Sequence, residues 1–205
     1  MLRRGVKLVA GTDEAGRGSL LGPLYVAAVI LNVARPISGL NDSKKLSPQV
    51  RSSLAIEIRE KALACQVIAV SAREVDELNV YEATRQAMIR ALLALDPRPE
   101  FALTDAMPLQ NGKKPGFPIP YWSLIHGDAR SVSIAAASIL AKVARDGHLE
   151  QLDKQYPQYY LARNKGYGTR EHLEALARYG PCPEHRRTYQ PVKDFLSPRL
   201  PFASA

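Results

Sequence analysis

The sequence predicts an α/β domain with a small helical extension. Short apolar runs of strand length alternate with longer segments of helical spacing as far as about residue 147. Beyond that point the pattern turns helical and polar, then proline-rich from about Pro181. Three of the apolar runs also stop at or just before a carboxylate, namely Asp13, Asp105 and Asp128. At 205 residues the chain suits one domain with an appendage, divided here as 1–147 and 148–205.

Lys7–Gly11 reads as the first strand and Leu24–Leu31 as a second, mostly buried one, with glycines 11, 16, 18 and 22 punctuating the turn between them. Ser47-Pro48 opens a helix, serine as N-cap and proline as first residue, that runs to about Ala64. Gln66–Ala72 looks like a third strand. Val80–Leu95 has helical spacing and stops at Asp96-Pro97. Glu100–Thr104 is a fourth strand, Asn111–Pro120 a loop rich in Lys, Gly and Pro, and Ile119–Ile125 a fifth strand. Ser131–Arg145 is a helix of small residues.

The charge is +8, from Lys+Arg 28 against Asp+Glu 20. Residues 1–105 carry 14 basic and 12 acidic side chains, and residues 106–205 carry 14 and 8, so +6 of the +8 lies in the second half. A basic half suggests a polyanion partner, against a plainly solvated basic surface. The two cysteines, Cys65 and Cys182, make neither a disulfide framework nor a four-ligand zinc site. Free thiols in a reducing cytoplasm are the expectation. The apolar runs are too short to span a bilayer, and no long apolar segment follows Met1-Leu2-Arg3-Arg4, so neither membrane insertion nor secretion is expected.

Gly11-Thr12-Asp13-Glu14-Ala15-Gly16-Arg17-Gly18 ends a strand with two acids and a glycine-rich turn. Neighbouring strand side chains point to opposite faces, so both acids serve one site only if the strand bends or ends there. Taken singly, Asp105 is equally a turn-former and Asp128 equally a helix N-cap, with Ser131 competing for that role. Their coincidence at strand ends favours a metal site. Clustered carboxylates repel unless a cation sits among them, and an all-oxygen set suits Mg²⁺ or Mn²⁺ rather than zinc. In a basic protein this suggests phosphodiester chemistry, with two ions about 3.5–4 Å apart activating a water and stabilising the leaving oxygen.

These pieces resemble the type 2 ribonucleases H, the ribonuclease HII family. The matching residues are Gly11–Gly18 with Gly22-Pro23, Asp42-Ser43-Lys44-Lys45-Leu46-Ser47, Leu103-Thr104-Asp105, Gly127-Asp128, Ser133–Asp146, Asn164–Thr169 with His172, and His185-Arg186, in the family's order over about residues 8–190. The resemblance implies a ribonuclease H-like fold, a central mixed five-stranded sheet flanked by helices with a helical C-terminal part. It implies cleavage of RNA in RNA–DNA hybrids and nicking 5′ of single ribonucleotides in duplex DNA, leaving 3′-hydroxyl and 5′-phosphate ends. By position it makes Asp13, Glu14, Asp105 and Asp128 the catalytic, metal-binding acids. Gly16-Arg17-Gly18 becomes the reader of the ribose 2′-hydroxyl, and Tyr167 the aromatic at the RNA–DNA junction. Two departures stand out: Ala106 where the family usually has glycine, and His126 where it often has lysine.

The remaining motifs are weaker. Lys44 and Lys45 alone read as a solvated pair; with the family they read as phosphate contacts. Lys165, beside the Gly166-Tyr167-Gly168 stretch, suits phosphate contact in a basic segment. Ser138 and Lys142 lie one turn apart on a helix whose default role is packing, and nothing supports acyl chemistry for them. His172 and His185 are read as structural or phosphate-facing, and His185-Arg186-Arg187 as a short basic patch with a solvated surface. A monomer is expected.

Overall fold

The computed structural model describes residues 5–110 and 116–197. Parts of the 111–120 loop and of the Phe195–Ala205 tail therefore lie outside the described residues. β1 (Val9–Ala15) pairs antiparallel with β2 (Leu24–Ile30), and β2 with β3 (Ala64–Val70). On its other side β1 pairs parallel with β4 (Phe101–Asp105), and β4 with β5 (Tyr121–Leu124). The order β3-β2-β1-β4-β5 is the mixed five-stranded sheet implied above.

The strand β2 shows why the sheet is sandwiched. Val26, Ala28 and Ile30 point into a cluster with Ala83, Ala87, Met88 and Leu92, while Ala27 and Val29 point to the opposite cluster with Leu54, Ile58, Ile139 and Leu140. Alternate residues face alternate sides, so a strand apolar at every position must be covered twice. The covering helices are α1 (Pro48–Lys61), α2 (Ala72–Leu78) and α3 (Val80–Leu93), followed after β5 by α4 (Gly127–Arg130) and α5 (Val132–Gln155). Then come α6 (Leu161–Asn164), α7 (Arg170–Tyr179) and α8 (Val192–Leu196). Among the described residues, no helix is long and apolar enough to cross a membrane.

Several boundaries differ from the sequence expectation. The first strand runs on to Ala15, so Asp13 and Glu14 belong to the strand itself. The third strand begins two residues earlier than expected, and Ala72 opens α2, which the sequence did not reveal. That helix has only seven residues, buries only Ala72 and Val75, and has four charged side chains, too little for a period to show. Its cap is legible afterwards: the Ser71 hydroxyl accepts from the Glu74 amide at 3.1 Å. The small-residue helix does not stop at Arg145 but continues through Gly147 to Gln155. Arg145, Leu149 and Leu152 are buried at i, i+4 and i+7, so one packed face carries the helix past 147.

The close seat of α5 on β1 decides where the site forms. A Cβ added to Gly11 would lie 2.2 Å from the Ser133 carbonyl carbon and 2.3 Å from the Ile134 nitrogen. Backbone meets backbone there, and the alanines that follow at 135–137 keep the helix against the sheet. Gly11→Ala is therefore expected to destabilise the protein by about 3 kcal/mol or more, the upper range for overpacking. At about 2–4 °C per kcal/mol this lowers Tm by roughly 6–12 °C. Thermal melts of both proteins check it, and a shift under about 2 °C would mean that α5 moves away easily.

Candidate active site

Parallel pairing of β1 with β4 puts Thr12 opposite Thr104, and each is followed by an aspartate. Asp13 and Asp105 thus leave adjacent strands side by side. Asp128 arrives from α4, just beyond β5, so three successive neighbours in the sheet each deliver one acid. Carboxylate oxygens of Asp13, Asp105 and Asp128 all lie within 4.8 Å of one another. Backbone amides fix them: Glu14 N–H donates to Asp13 Oδ1 (2.8 Å), Gly127 N–H to Asp105 Oδ1 (2.7 Å) and Ala129 N–H to Asp128 Oδ1 (2.9 Å). Asp128 lies within α4, and the N-cap of α5 is Ser131.

Glu14 lines the same cavity, of about 450 Å³, with Asp13, Asp105, Gly16–Gly18, Ser43, Lys44, Ser138, Lys142 and Tyr167. Its Oε1 accepts from Arg17 at 3.4 Å, whereas its buried Oε2 has no hydrogen-bond partner. Burial holds the Asp13 carboxyl well above the usual carboxylate range, with the Glu14 charge and, less, that of Asp105 adding to it. A hydrogen bond from Ser138 opposes the shift. Glu14 is also pushed up by burial, partly offset by Arg17. Buried like charges, an all-oxygen donor set and an unpartnered carboxylate oxygen fit a hard divalent cation.

The turn after the acids is held from behind. Gly16 has φ +94°, and a Cβ there would fall 2.0 Å from Arg145 Nε. Both conditions require glycine. Gly18, by contrast, faces open space. Arg186 Nη1 (2.8 Å) and the Tyr189 hydroxyl (2.6 Å) both donate to the Arg17 carbonyl. Arg145 Nε donates to Pro23 O and its Nη2 to Lys165 O, and its guanidinium lies 5.4 Å from the Tyr167 ring centroid. Burial lowers Arg145 to about 10, so it stays charged at neutral pH. Tyr167 is 40% exposed and lines the cavity.

Of the expected substrate contacts, Gly16, Arg17, Gly18, Lys44 and Tyr167 meet at the cavity. Lys45, exposed on the 3-10 turn Ser43–Lys45, is not among the cavity-lining residues, and Lys165 pairs through Nζ with Glu150 at 3.1 Å. Sequence reasoning missed Ser43, whose hydroxyl meets that of Ser138 at 2.9 Å, and Lys142, which pairs with Asp146 at 2.7 Å beside the cavity. The serine-lysine spacing was visible but reads only as packing. His185-Arg186 is not a solvated patch. His185 is 1% and Arg186 0% exposed, because Arg186 is spent on the carbonyls of Arg17 and Gly22. His172 is likewise fully buried, as the structural alternative requires.

Comparison with known proteins places this arrangement among close relatives. The family model described as Ribonuclease HII matches residues 10–192. The chain is 53% identical over 192 residues to a ribonuclease HII of Geobacillus kaustophilus, covering 94% of this chain and 72% of that protein. It is 50% identical over 190 residues to a ribonuclease HII of Solibacter usitatus, covering 93% and 81%. The crystal structure of the ribonuclease H2 from Pyrococcus horikoshii OT3 superposes with a TM-score of 0.76 at 28% identity, covering 91% of this chain and 96% of that one.

Ala106 keeps the backbone a glycine would supply: its φ is +47° and its N–H still donates to Leu124 O at 2.9 Å. A left-handed alanine costs about 1–2 kcal/mol, against about 0.5–1 kcal/mol for the greater freedom of an unfolded glycine. Ala106→Gly should therefore stabilise by up to about 1 kcal/mol, raising Tm by roughly 2–4 °C without displacing Asp105. A melt checks it, and a lower Tm would show that the alanine methyl makes a contact worth more than the strain.

Proposed function

The chain belongs to the ribonuclease HII family, and on that premise we propose how its residues divide the work of cutting. The protein is a metal-dependent endonuclease, a hydrolase acting on RNA within RNA–DNA hybrids. In our reading it also nicks duplex DNA on the 5′ side of a single ribonucleotide and leaves 3′-hydroxyl and 5′-phosphate ends. The observation that carries this is the meeting of a buried carboxylate cluster with the Gly16-Arg17-Gly18 turn in one cavity.

Asp13, Glu14, Asp105 and Asp128 would hold the cation, Mg²⁺ or Mn²⁺. When bound, it supplies Lewis acidity at the phosphodiester and a more acidic water. The unpartnered Glu14 Oε2 and the raised Asp13 carboxyl support this assignment. Gly18 faces open space, so nothing within the protein excludes a side chain there. A sugar edge approaching the backbone would, and a 2′-hydroxyl is what separates RNA from DNA at such a point. Lys44 and Lys142 supply cationic ends at the cavity for the phosphates. Lys45, Lys165 and the segment 148–205 would extend that contact along the duplex. Tyr167 offers its exposed face to the deoxyribose that follows the ribonucleotide. Two free thiols support a reducing, cytoplasmic setting.

Asp13→Asn and Asp105→Asn should each slow cleavage well beyond tenfold, more than about 1.4 kcal/mol of barrier, while substrate is still bound. Metal-free Asp13→Asn should melt at or above wild type, because it removes a buried like charge. Mg²⁺ should raise the Tm of wild type more than that of the variant. Cleavage within tenfold of wild type would remove these acids from the metal site.

Duplex DNA bearing one ribonucleotide should be cut and the all-DNA duplex spared. Tyr167→Ala should cost about 1–3 kcal/mol on the single-ribonucleotide duplex, the range for nucleotide–aromatic contacts, and less on a uniform hybrid. Side-by-side rates on the two substrates check this. Equal losses would leave Tyr167 a packing residue, and cutting of all-DNA duplex would sink the reading of the turn.

A further inference from the structure

His172 and His185 come from segments 13 residues apart and meet in the interior, Nε2 to Nε2 at 3.2 Å. One is 0% and the other 1% exposed. Neither reaches the cavity, and the roles assigned above leave both unused. Their backbone partners favour one arrangement of the protons between them. The Cys182 backbone N–H donates to His185 Nδ1 at 3.0 Å. A backbone amide can only donate, so a His185 Nδ1 that accepts from it is bare, with the Cys182 thiol at 3.3 Å a second donor, and a neutral ring then carries its proton on Nε2. At the other end, His172 Nδ1 faces the Tyr167 carbonyl at 2.9 Å. A carbonyl can only accept, so His172 carries its proton on Nδ1 and leaves Nε2 bare. The two bare and protonated Nε2 positions then match. Burial lowers both imidazoles, His185 to about 4 with the His172 ring contributing, so both are neutral at neutral pH. Cys182 Sγ and the ring of Tyr159 are the other titratable groups against the pair, and Tyr159 stacks edge-on against His185 at 4.9 Å between centroids.

We propose that His172 and His185 are positioning residues, a one-way hydrogen-bond relay from the Cys182 amide to the Tyr167 carbonyl that sets where the Tyr167 ring stands at the ribonucleotide junction. The proposal rests on the junction role given to Tyr167 above. The Tyr167 carbonyl accepts twice, from His172 and from the Thr169 amide at 2.8 Å, so its peptide plane is clamped. The far end of the relay is anchored to Leu20–Gly22, the segment that follows the Gly16–Gly18 turn. His185 bridges Leu21, Gly22 N–H donates to Glu184 O, and Arg186 N–H donates to Leu20 O. Leu20 and Leu21 in turn donate to Gly166 O, one residue before Tyr167. The pair therefore sets the distance between the aromatic and the Gly16–Gly18 turn through contacts that touch neither substrate nor acid.

Two tests decide it. In wild type, ¹⁵N imidazole NMR should show His172 as the Nδ1–H tautomer and His185 as the Nε2–H tautomer; any other pair overturns the relay, whatever the variants do. The second test compares the ratio of single-ribonucleotide to uniform-hybrid cleavage rates. His172→Asn keeps a donor at the Nδ1 position, and His172→Gln keeps only the Nε2 side. Both lose one buried hydrogen bond, so a merely structural role would affect them alike and leave the ratio unmoved. His172→Asn should hold the ratio within about twofold of wild type, whereas His172→Gln should lower it by roughly fivefold to tenfold, the worth of one net hydrogen bond. Equal ratios in the two variants overturn the proposal; should either fail to fold, the tautomers decide. Tyr167→Ala separates the two ways of being wrong. If it lowers the ratio and His172→Gln does not, the relay is wrong and the junction reading stands. If it leaves the ratio unchanged, the junction reading falls and the positioning role with it.

Discussion

Asp13, Asp105 and Asp128 bring oxygens within 4.8 Å of one another, and Asp13 is only 5% exposed. Repulsion and desolvation both act to separate or neutralise such groups. Their positions must come from backbone that does not yield, and the sheet provides it. Parallel pairing of β1 and β4 places two of the acids, and α4 directly after β5 places the third. The tight seat of α5 over Gly11 keeps the strands from relaxing away from one another. The remaining architecture is largely the means of holding this unfavourable charge arrangement in reach of solvent and substrate.

Positive charge is buried on the other side of the same turn. Arg145 and Arg186 are fully buried, and their hydrogen bonds go mainly to backbone carbonyls of Arg17, Gly22, Pro23 and Lys165. Guanidinium groups suit this task because their fork of donors can satisfy several carbonyls at once. The C-terminal segment thus works structurally on the N-terminal turn, from 164 residues away in sequence for Arg186 and Gly22.

The strands and the three aspartates were legible because the strands are mostly apolar and each acid lies at or shortly after the end of an apolar run. The small-residue helix was legible in kind but not in length, since Gly147 resembles a stop until the buried spacing of Arg145, Leu149 and Leu152 is seen across it. The helix Ala72–Leu78 was missed because its surface is charged and its buried face has two residues. His185-Arg186 was misread as surface because basic residues are usually exposed, and only the carbonyls opposite explain the exception.

The sequence by itself determined the alternation of elements, the acids at strand ends, the glycine turn and the family, because these depend on local spacing and on residue types in order. Tertiary structure alone decided which groups face one another. It drew together the three aspartates, set Glu14 at the wall with one oxygen unpartnered, and turned Lys165 toward Glu150. It buried two histidines against each other, Nε2 to Nε2, between the Cys182 amide and the Tyr167 carbonyl. The reason is physical: burial and proximity are properties of how elements pack, and a side chain's charge, tautomer and partner follow from that packing rather than from its neighbours in the chain.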